Sequence, residues 1–254
     1  MEILFLGTSS GWPLPRLGCN CKICSSNDPK DKRLRPSILV NGKVLIDAPC
    51  DIYHELIMHK IDPPCLSHIL ITHAHDDHFF GLYDLSHIYG KNGRIKLFSS
   101  KGVLSEMRRK VGTSMLAFDI QEAKPVQNIP LGNDTVATFI PVEHSVETYG
   151  VKIKAPKPAL YAPEFRKILP SARKLLGDLD LAIIDGSSKS PLGQARGHES
   201  IEEGIRLARD IRTKKILFTN IGHKTDTHEN LIEFVKQEGG SKFGIAFDGL
   251  EIKV

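Results

Sequence analysis

The chain lacks any apolar run of the roughly 18 residues that a membrane-spanning helix needs. It also lacks internal repeats, low-complexity tracts and linkers, so one domain over residues 1–254 is the simplest organisation. An excess of charge of one sign is missing too. Lys and Arg total 34 against 30 for Asp and Glu, a net charge of +4 that neither demands nor excludes a nucleic-acid partner. The opening Met1-Glu2-Ile3-Leu4-Phe5-Leu6-Gly7 carries no basic leader and no cleavage-site pattern, so it reads as a buried strand and the expected location is cytoplasmic. Disulfides are not expected there. Three of the five cysteines, Cys19, Cys21 and Cys24, crowd into six residues, which in that context points to metal binding.

The chain does have the composition of an ordinary soluble globular protein, 41% hydrophobic and 25% charged, with enough length to bury a substantial core. Short β-branched runs alternate with helical patterns. The spacing predicts strands over Ile3–Leu6, Ser37–Val40, Val44–Asp47, Ile69–Thr72, Ile95–Phe98, Thr135–Pro141, Tyr149–Ile153, Leu181–Asp185 and Ile216–Thr219. It predicts helices over Ile52–His59, Gly81–Tyr89, Lys101–Arg109, Pro163–Leu176, Ser200–Ile211 and Asp226–Glu238. Asn41-Gly42 is a hairpin signal. Two mixed sheets packed face to face with helices outside satisfy this order, an α/β (α+β) arrangement. Several strands end at a polar residue (Thr72 before His73, Val142 close to His144, Ile184 before Asp185, Thr219 before Asn220), as a metal site on the rim of a sandwich requires.

The strongest local signal is His73-x-His75-x-Asp77-His78. Three imidazoles and a carboxylate in six residues suit zinc, iron or manganese, and the preceding Ile69-Leu70-Ile71-Thr72 gives them a rigid base. A core role is a poor account, because burying so many unpartnered polar groups is costly. A solvated, His-rich loop is the bland alternative.

With Asp47 in Val44-Leu45-Ile46-Asp47-Ala48, this motif resembles the metallo-β-lactamase superfamily over almost the whole chain. The resemblance implies a four-layer αββα sandwich. It also implies that His73, His75 and His144 hold a first metal, that Asp77 and His78 lean towards a second, and that Asp47 orients the motif loop. Gly18-Cys19-Asn20-Cys21-Lys22-Ile23-Cys24 and Phe247-Asp248-Gly249-Leu250-Glu251-Ile252 look like PhnP-type cyclic-phosphate phosphodiesterases, and equally like PqqB proteins. By the first likeness, Cys19, Cys21, Cys24 and His223 bind a structural zinc and His198 is the general acid, with Asp77 acting on the water. Three idle cysteines, and a helix-entry role for His198 beside Ser200, are the plainer readings. Asp185, with Ser187 and Ser188, is expected to line the pocket or to fix the geometry of the groups around it.

Two departures stand out. Leu160-Tyr161-Ala162-Pro163-Glu164 carries no bridging aspartate and is worded like a PqqB turn, leaving Glu164, the adjacent carboxylate, either beside the site or as a substitute for the bridge. Asn220 stands where a last active-site histidine is expected, and an amide is a weak zinc ligand. With Asp77 and His78 alone at the second position, one tightly held ion is expected. The resemblance implies hydrolysis of a phosphodiester or cyclic phosphate, in a small phosphorylated or nucleotide-like substrate, with a homodimer allowed. A PqqB-like oxidative protein and a non-catalytic metal binder are the alternatives. No inserted arm suited to tRNA is visible. Cys50 and Cys65 are expected in packing, and His54, His59, His68, His87 and His228 on the surface or in packing. The run Lys30-Asp31-Lys32-Arg33-Leu34-Arg35 is expected to form a solvated face, and Arg166, Lys167, Arg173 and Lys174 to share one helix.

Overall fold

Alternation of side chains along the strands decides the layering. The computed structural model describes residues 1–89, 95–191 and 197–254. Its strands are β1 (Glu2–Gly7), β2 (Ser37–Val40), β3 (Val44–Ile46), β4 (His68–Leu70), β5 (Ile95–Ser99), β6 (Phe118–Glu122), β7 (Asn128–Gly132), β8 (Thr135–Val142), β9 (Thr148–Ala155), β10 (Lys157–Ala162), β11 (Leu179–Asp185), β12 (Thr213–Thr219), β13 (Phe243–Ile245) and β14 (Glu251–Lys253). The helices are α1 (Lys22–Ser25), α2 (Ile52–Met58), α3 (Asp76–Phe79), α4 (Leu82–Tyr89), α5 (Lys101–Val111), α6 (Pro170–Leu176), α7 (Ile201–Leu207) and α8 (His228–Gly239). The strands form two seven-stranded sheets, ordered β14-β1-β2-β3-β4-β5-β6 and β13-β12-β11-β10-β9-β8-β7.

In the first sheet Ile38, Val40, Val44 and Ile46 face Phe139, Val151, Tyr161 and Ile183 of the second, forming the core between the sheets. The intervening Leu39 and Leu45, with Ile69 and Ile71, point the other way, under Ile52, Leu56, Leu82, Leu85 and Met107 of α2, α4 and α5. Leu160, Ala182, Ile184, Ile216 and Phe218 likewise turn out of the second sheet, towards Leu176, Ile201, Ile205, Leu231 and Val235 of α6, α7 and α8. Three apolar seams between four layers make an αββα sandwich. Each fully buried Leu, Ile, Val or Phe adds about 1.5–3 kcal/mol relative to exposure.

β3 to β6 are parallel, as are β10 to β13, and the β1-β2-β3 and β7-β8-β9-β10 connections are antiparallel. The β2–β3 turn places Asn41 and Gly42 at φ 50° and 65°, as the Asn-Gly pair predicts. β4, β8, β10, β11 and β12 all run out towards the same rim.

The structure corrects several expectations. β6, β7, β10, β13 and β14 are additional to the strands the sequence predicts: they are short or interrupted by Pro130 and Pro158, although Ile129 and Leu131 of β7 alternate cleanly into the core. The helix expected over Pro163–Leu176 begins only at Pro170. Phe165 and Glu164 are drawn into the interior at 0% and 3% exposure, so that segment turns inwards and Arg166 and Lys167 lie outside the helix. The basic run is not a solvated face throughout. Arg33 is buried, with Nη1 donating to Thr8 Oγ1 (2.8 Å) and to the Ala246 carbonyl (2.6 Å), and Nη2 3.2 Å from His228 Nδ1. Its neighbour Asp31 is buried too, accepting the His228 N–H at the start of α8 (2.7 Å). Cys50 and Cys65 are exposed instead of packed. Among the described residues no helix is long and apolar enough to cross a membrane.

Candidate metal centre

The motif loop leaves β4 and is pinned from behind by Asp47, which sits at φ 63° just past β3. A left-handed backbone at a non-glycine residue is uncommon and is tolerated where surrounding bonds enforce it. Those bonds are present. Asp47 Oδ1 accepts the Thr72 N–H (2.8 Å), and Oδ2 lies 2.9 Å from Thr72 Oγ1 and 2.8 Å from His78 Nδ1. The buried carboxylate therefore accepts a hydrogen bond from His78 Nδ1–H, which leaves the Nε2 lone pair free to bind a metal. Thr72 Oγ1 passes the effect along, since it donates to Asp47 and can accept from His73 Nδ1 at 2.9 Å. His144 is oriented in the same way, with Nδ1 donating to the Gly197 carbonyl at 2.6 Å. Asp47 thus sits where the sequence reading put it; Thr72 and the Gly197 carbonyl were not foreseen. Only Thr72's place beside the motif gave a hint.

The freed nitrogens converge with a carboxylate. His73 Nε2 is 3.0 Å from His75 Nδ1, which is 3.3 Å from His144 Nε2. Glu164 Oε2 lies 3.1, 3.4 and 3.1 Å from the donor atoms of His73, His75 and His144. A tetrahedron with such edges has its centre about 1.8–2.1 Å from each corner, which suits the roughly 2.0–2.1 Å of zinc–imidazole bonds. Burial and the neighbouring His78 push His73 down to about 3, so it is a neutral donor at ordinary pH. Burial would raise Glu164, but His78 and hydrogen bonds from His144, His73 and His75 hold it well below the usual carboxylate range. This donor set fits a divalent cation.

The other carboxylate oxygen serves a second group. Glu164 Oε1 is 3.2 Å from His78 Nε2, and Asp77 Oδ2 is 3.6 Å from the same nitrogen. His78 Nε2 is buried and has no hydrogen-bond partner, a costly state that a cation would relieve. Asn220 donates its side-chain N–H to Glu164 Oε1 (3.3 Å). The sequence assigns this position two ligands, Asp77 and His78, and leaves open whether Glu164 substitutes for the missing bridge. The structure adds Glu164 as a third donor and places its carboxylate between the two groups. β10 is responsible, because it extends to Ala162 and aims the next turn at the rim.

His198 lies beside this centre, its ring centroid 5.1 Å from that of His144. Its Nδ1 donates to Asp185 Oδ2 at 2.8 Å, and Asp185 also accepts N–H bonds from Phe165 (3.4 Å) and Ser187 (2.9 Å). Burial opposes the imidazolium, but the Asp185 charge and hydrogen bond raise its pKa to about 9. Ser200, not His198, caps α7, in a reciprocal pair with Glu203. Of the two roles open to Asp185, the structure shows the buried one, a bond that fixes the His198 ring. A cavity of about 230 Å³ opens next to His198, lined also by Trp12, Arg16, Ser187, Ser188 and Lys224.

On the far side of that cavity Cys19, Cys21, Cys24 and His223 gather, each offering one donor atom within 4.8 Å of the others. Cys19 Sγ is 3.4 Å from His223 Nδ1, and Cys21 Sγ is 3.3 Å from the His223 carbonyl. Three thiols and an imidazole fit a closed tetrahedral zinc site. His54 and His87 are exposed, His59 and His68 are half-buried, and none of them joins either centre.

The solved structure of a diphosphatase from the PhnP family is similar over 100% of this chain and 97% of its own, with TM-score 0.87 and 26% identity. Zn(2+)-bound PqqB from Methylobacterium extorquens shares the fold over 100% of both chains, with TM-score 0.86 and 21% identity. Among curated proteins, an octanoyltransferase of Porphyromonas gingivalis is 25% identical over 99% of this chain, which spans about half (51%) of that relative's length. The family description "Beta-lactamase superfamily domain" matches residues 43–221, the stretch that carries the His73-x-His75-x-Asp77-His78 loop, His144, Glu164 and Asn220, and the chain belongs to that family.

Proposed function

We propose that this chain is a metal-dependent phosphodiesterase acting on a small phosphorylated or nucleotide-like substrate. The carrying observation is the Glu164 carboxylate, with Oε2 among His73, His75 and His144 and Oε1 beside His78 and Asp77. Two donor groups joined by one carboxylate suit a pair of divalent cations, which would supply Lewis acidity and a water acidified towards neutral pH. Asp77, half-buried beside that group, accepts a proton from the attacking water and orients it. His198 gives a proton to the departing ester oxygen, while Asp185 fixes the ring so that Nε2 is the donating atom. Arg16 and Lys224 at the cavity mouth favour an anionic substrate.

A second reading is acyl-ester or thioester hydrolysis, favoured by the match to about half of a protein named octanoyltransferase. The cationic cavity mouth favours phosphate over an octanoyl chain. The test is turnover by protein reconstituted with zinc or manganese, offered bis(p-nitrophenyl) phosphate, a nucleoside 2′,3′-cyclic phosphate and an octanoyl thioester. Turnover of the phosphodiesters is expected. Consumption of the thioester alone overturns the phosphodiesterase reading and supports the second.

A further inference from the structure

The cavity beside His198 shares His223 with the cysteine cluster, and Arg16 lines it next to that histidine. Arg16 is held at both backbone ends, its N–H donating to Cys24 Sγ (3.4 Å) and its carbonyl accepting from Cys19 N–H (3.1 Å). Its Nη1 lies 3.1 Å from His223 Nε2, while the other ring nitrogen, Nδ1, faces Cys19 Sγ at 3.4 Å. A metal in the cluster takes His223 through Nδ1, the nitrogen on the thiol side. Nε2 must then carry the ring's hydrogen. Arg16 has only donors, so two N–H groups confront each other with no acceptor between them.

An oxyanion resolves that confrontation, and the surroundings are prepared for one. Lys224 lines the same cavity, and no Asp or Glu is among its lining residues. Ser187 Oγ is buried without a partner. A Cβ at Gly222 would stand 2.5 Å from the Ser187 carbonyl and 3.2 Å from Ser10 Oγ, so only glycine lets these lining loops pack this closely.

We propose that Arg16, His223 and Lys224 form an oxyanion subsite for a phosphoryl group distal to the scissile bond, and that the metal of the cysteine cluster completes it by turning His223 Nε2 into a donor. On this account the cluster sets anion affinity as well as tying loops together. The occupant rests on the phosphodiesterase reading; the subsite itself does not.

The probe is inorganic phosphate, titrated by calorimetry into metal-loaded protein carrying His75→Ala, which disables the other place where phosphate would bind. Binding is expected to persist there. Adding Arg16→Gln or Lys224→Gln, both at exposed positions, is expected to weaken it roughly 10–100-fold, the loss of one charge-assisted hydrogen bond. Adding Cys21→Ser, with its metal content one equivalent lower, is expected to weaken it similarly. Phosphate affinity within twofold of the parent in the Arg16→Gln protein overturns the subsite, and unchanged affinity in Cys21→Ser overturns the metal's part in it. If phosphate binds as described but no phosphodiester is turned over by the wild-type protein, the subsite stands and the functional reading falls.

Discussion

Asn220 donates its side-chain N–H to Glu164 Oε1 across 3.3 Å, pairing the two residues at which this chain departs from the ligand pattern its motif resembles. Asn220 sits at φ 60°, a left-handed conformation that asparagine tolerates better than most side chains. Its bond turns Glu164 so that Oε2 meets the three histidines and Oε1 meets His78. Glu164→Gln keeps the shape and removes the charge that a pair of cations needs. Metal affinity at the centre should fall at least about 10-fold, the lower end of what losing a supporting carboxylate costs. Chelator competition measures it, and unchanged affinity would remove Glu164 from the site.

His198→Ala should lower turnover by roughly 10²–10⁴-fold if the residue protonates the leaving oxygen. The loss should shrink with p-nitrophenolate, which leaves without a proton. Asp185→Asn should reproduce part of the defect by disturbing the ring's orientation. Equal losses for good and poor leaving groups would point to binding instead.

Cys21→Ser should remove about one equivalent of zinc and lower the melting temperature, because metal binding at such a site is coupled to folding. The cluster joins the loop before α1 to the loop after β12. Elemental analysis of the purified variant decides the matter, and an unchanged zinc count contradicts the assignment.

His228 offers a pH test away from the metal sites. Burial and the Arg33 charge lower its pKa to about 4, from the roughly 6.5 of a free imidazole, so the native state holds it neutral. The unfolded chain binds the proton first as pH falls. The stabilising contribution is therefore complete above about 6.5 and is lost as pH drops towards 4. Urea midpoints should decline over that window, and less steeply in His228→Gln. Parallel declines would show that other groups dominate.

Much of this was legible in the sequence, for identifiable reasons. The strands of the central sandwich announce themselves by short β-branched apolar runs, as in Ser37-Ile38-Leu39-Val40, buried on both faces, and the histidines by their spacing. Glu164 was underestimated because its role depends on β10, whose Lys157-Pro158-Ala159 opening gives no strand period. Arg33 looked solvated because a charged run averages out the one member that turns inwards to Thr8 and His228. Arg16 and Lys224 are ordinary surface residues in sequence, and only the fold brings them to one cavity.

The most direct test of the central claim is anomalous X-ray scattering from crystals of the protein loaded with manganese or zinc. The account predicts two peaks in the active centre, one among His73, His75, His144 and Glu164 and one beside Asp77, His78 and Glu164, about 3.5–4 Å apart. A single peak held by the three histidines, with Glu164 turned away from it, would contradict the bridging role on which the proposed chemistry depends.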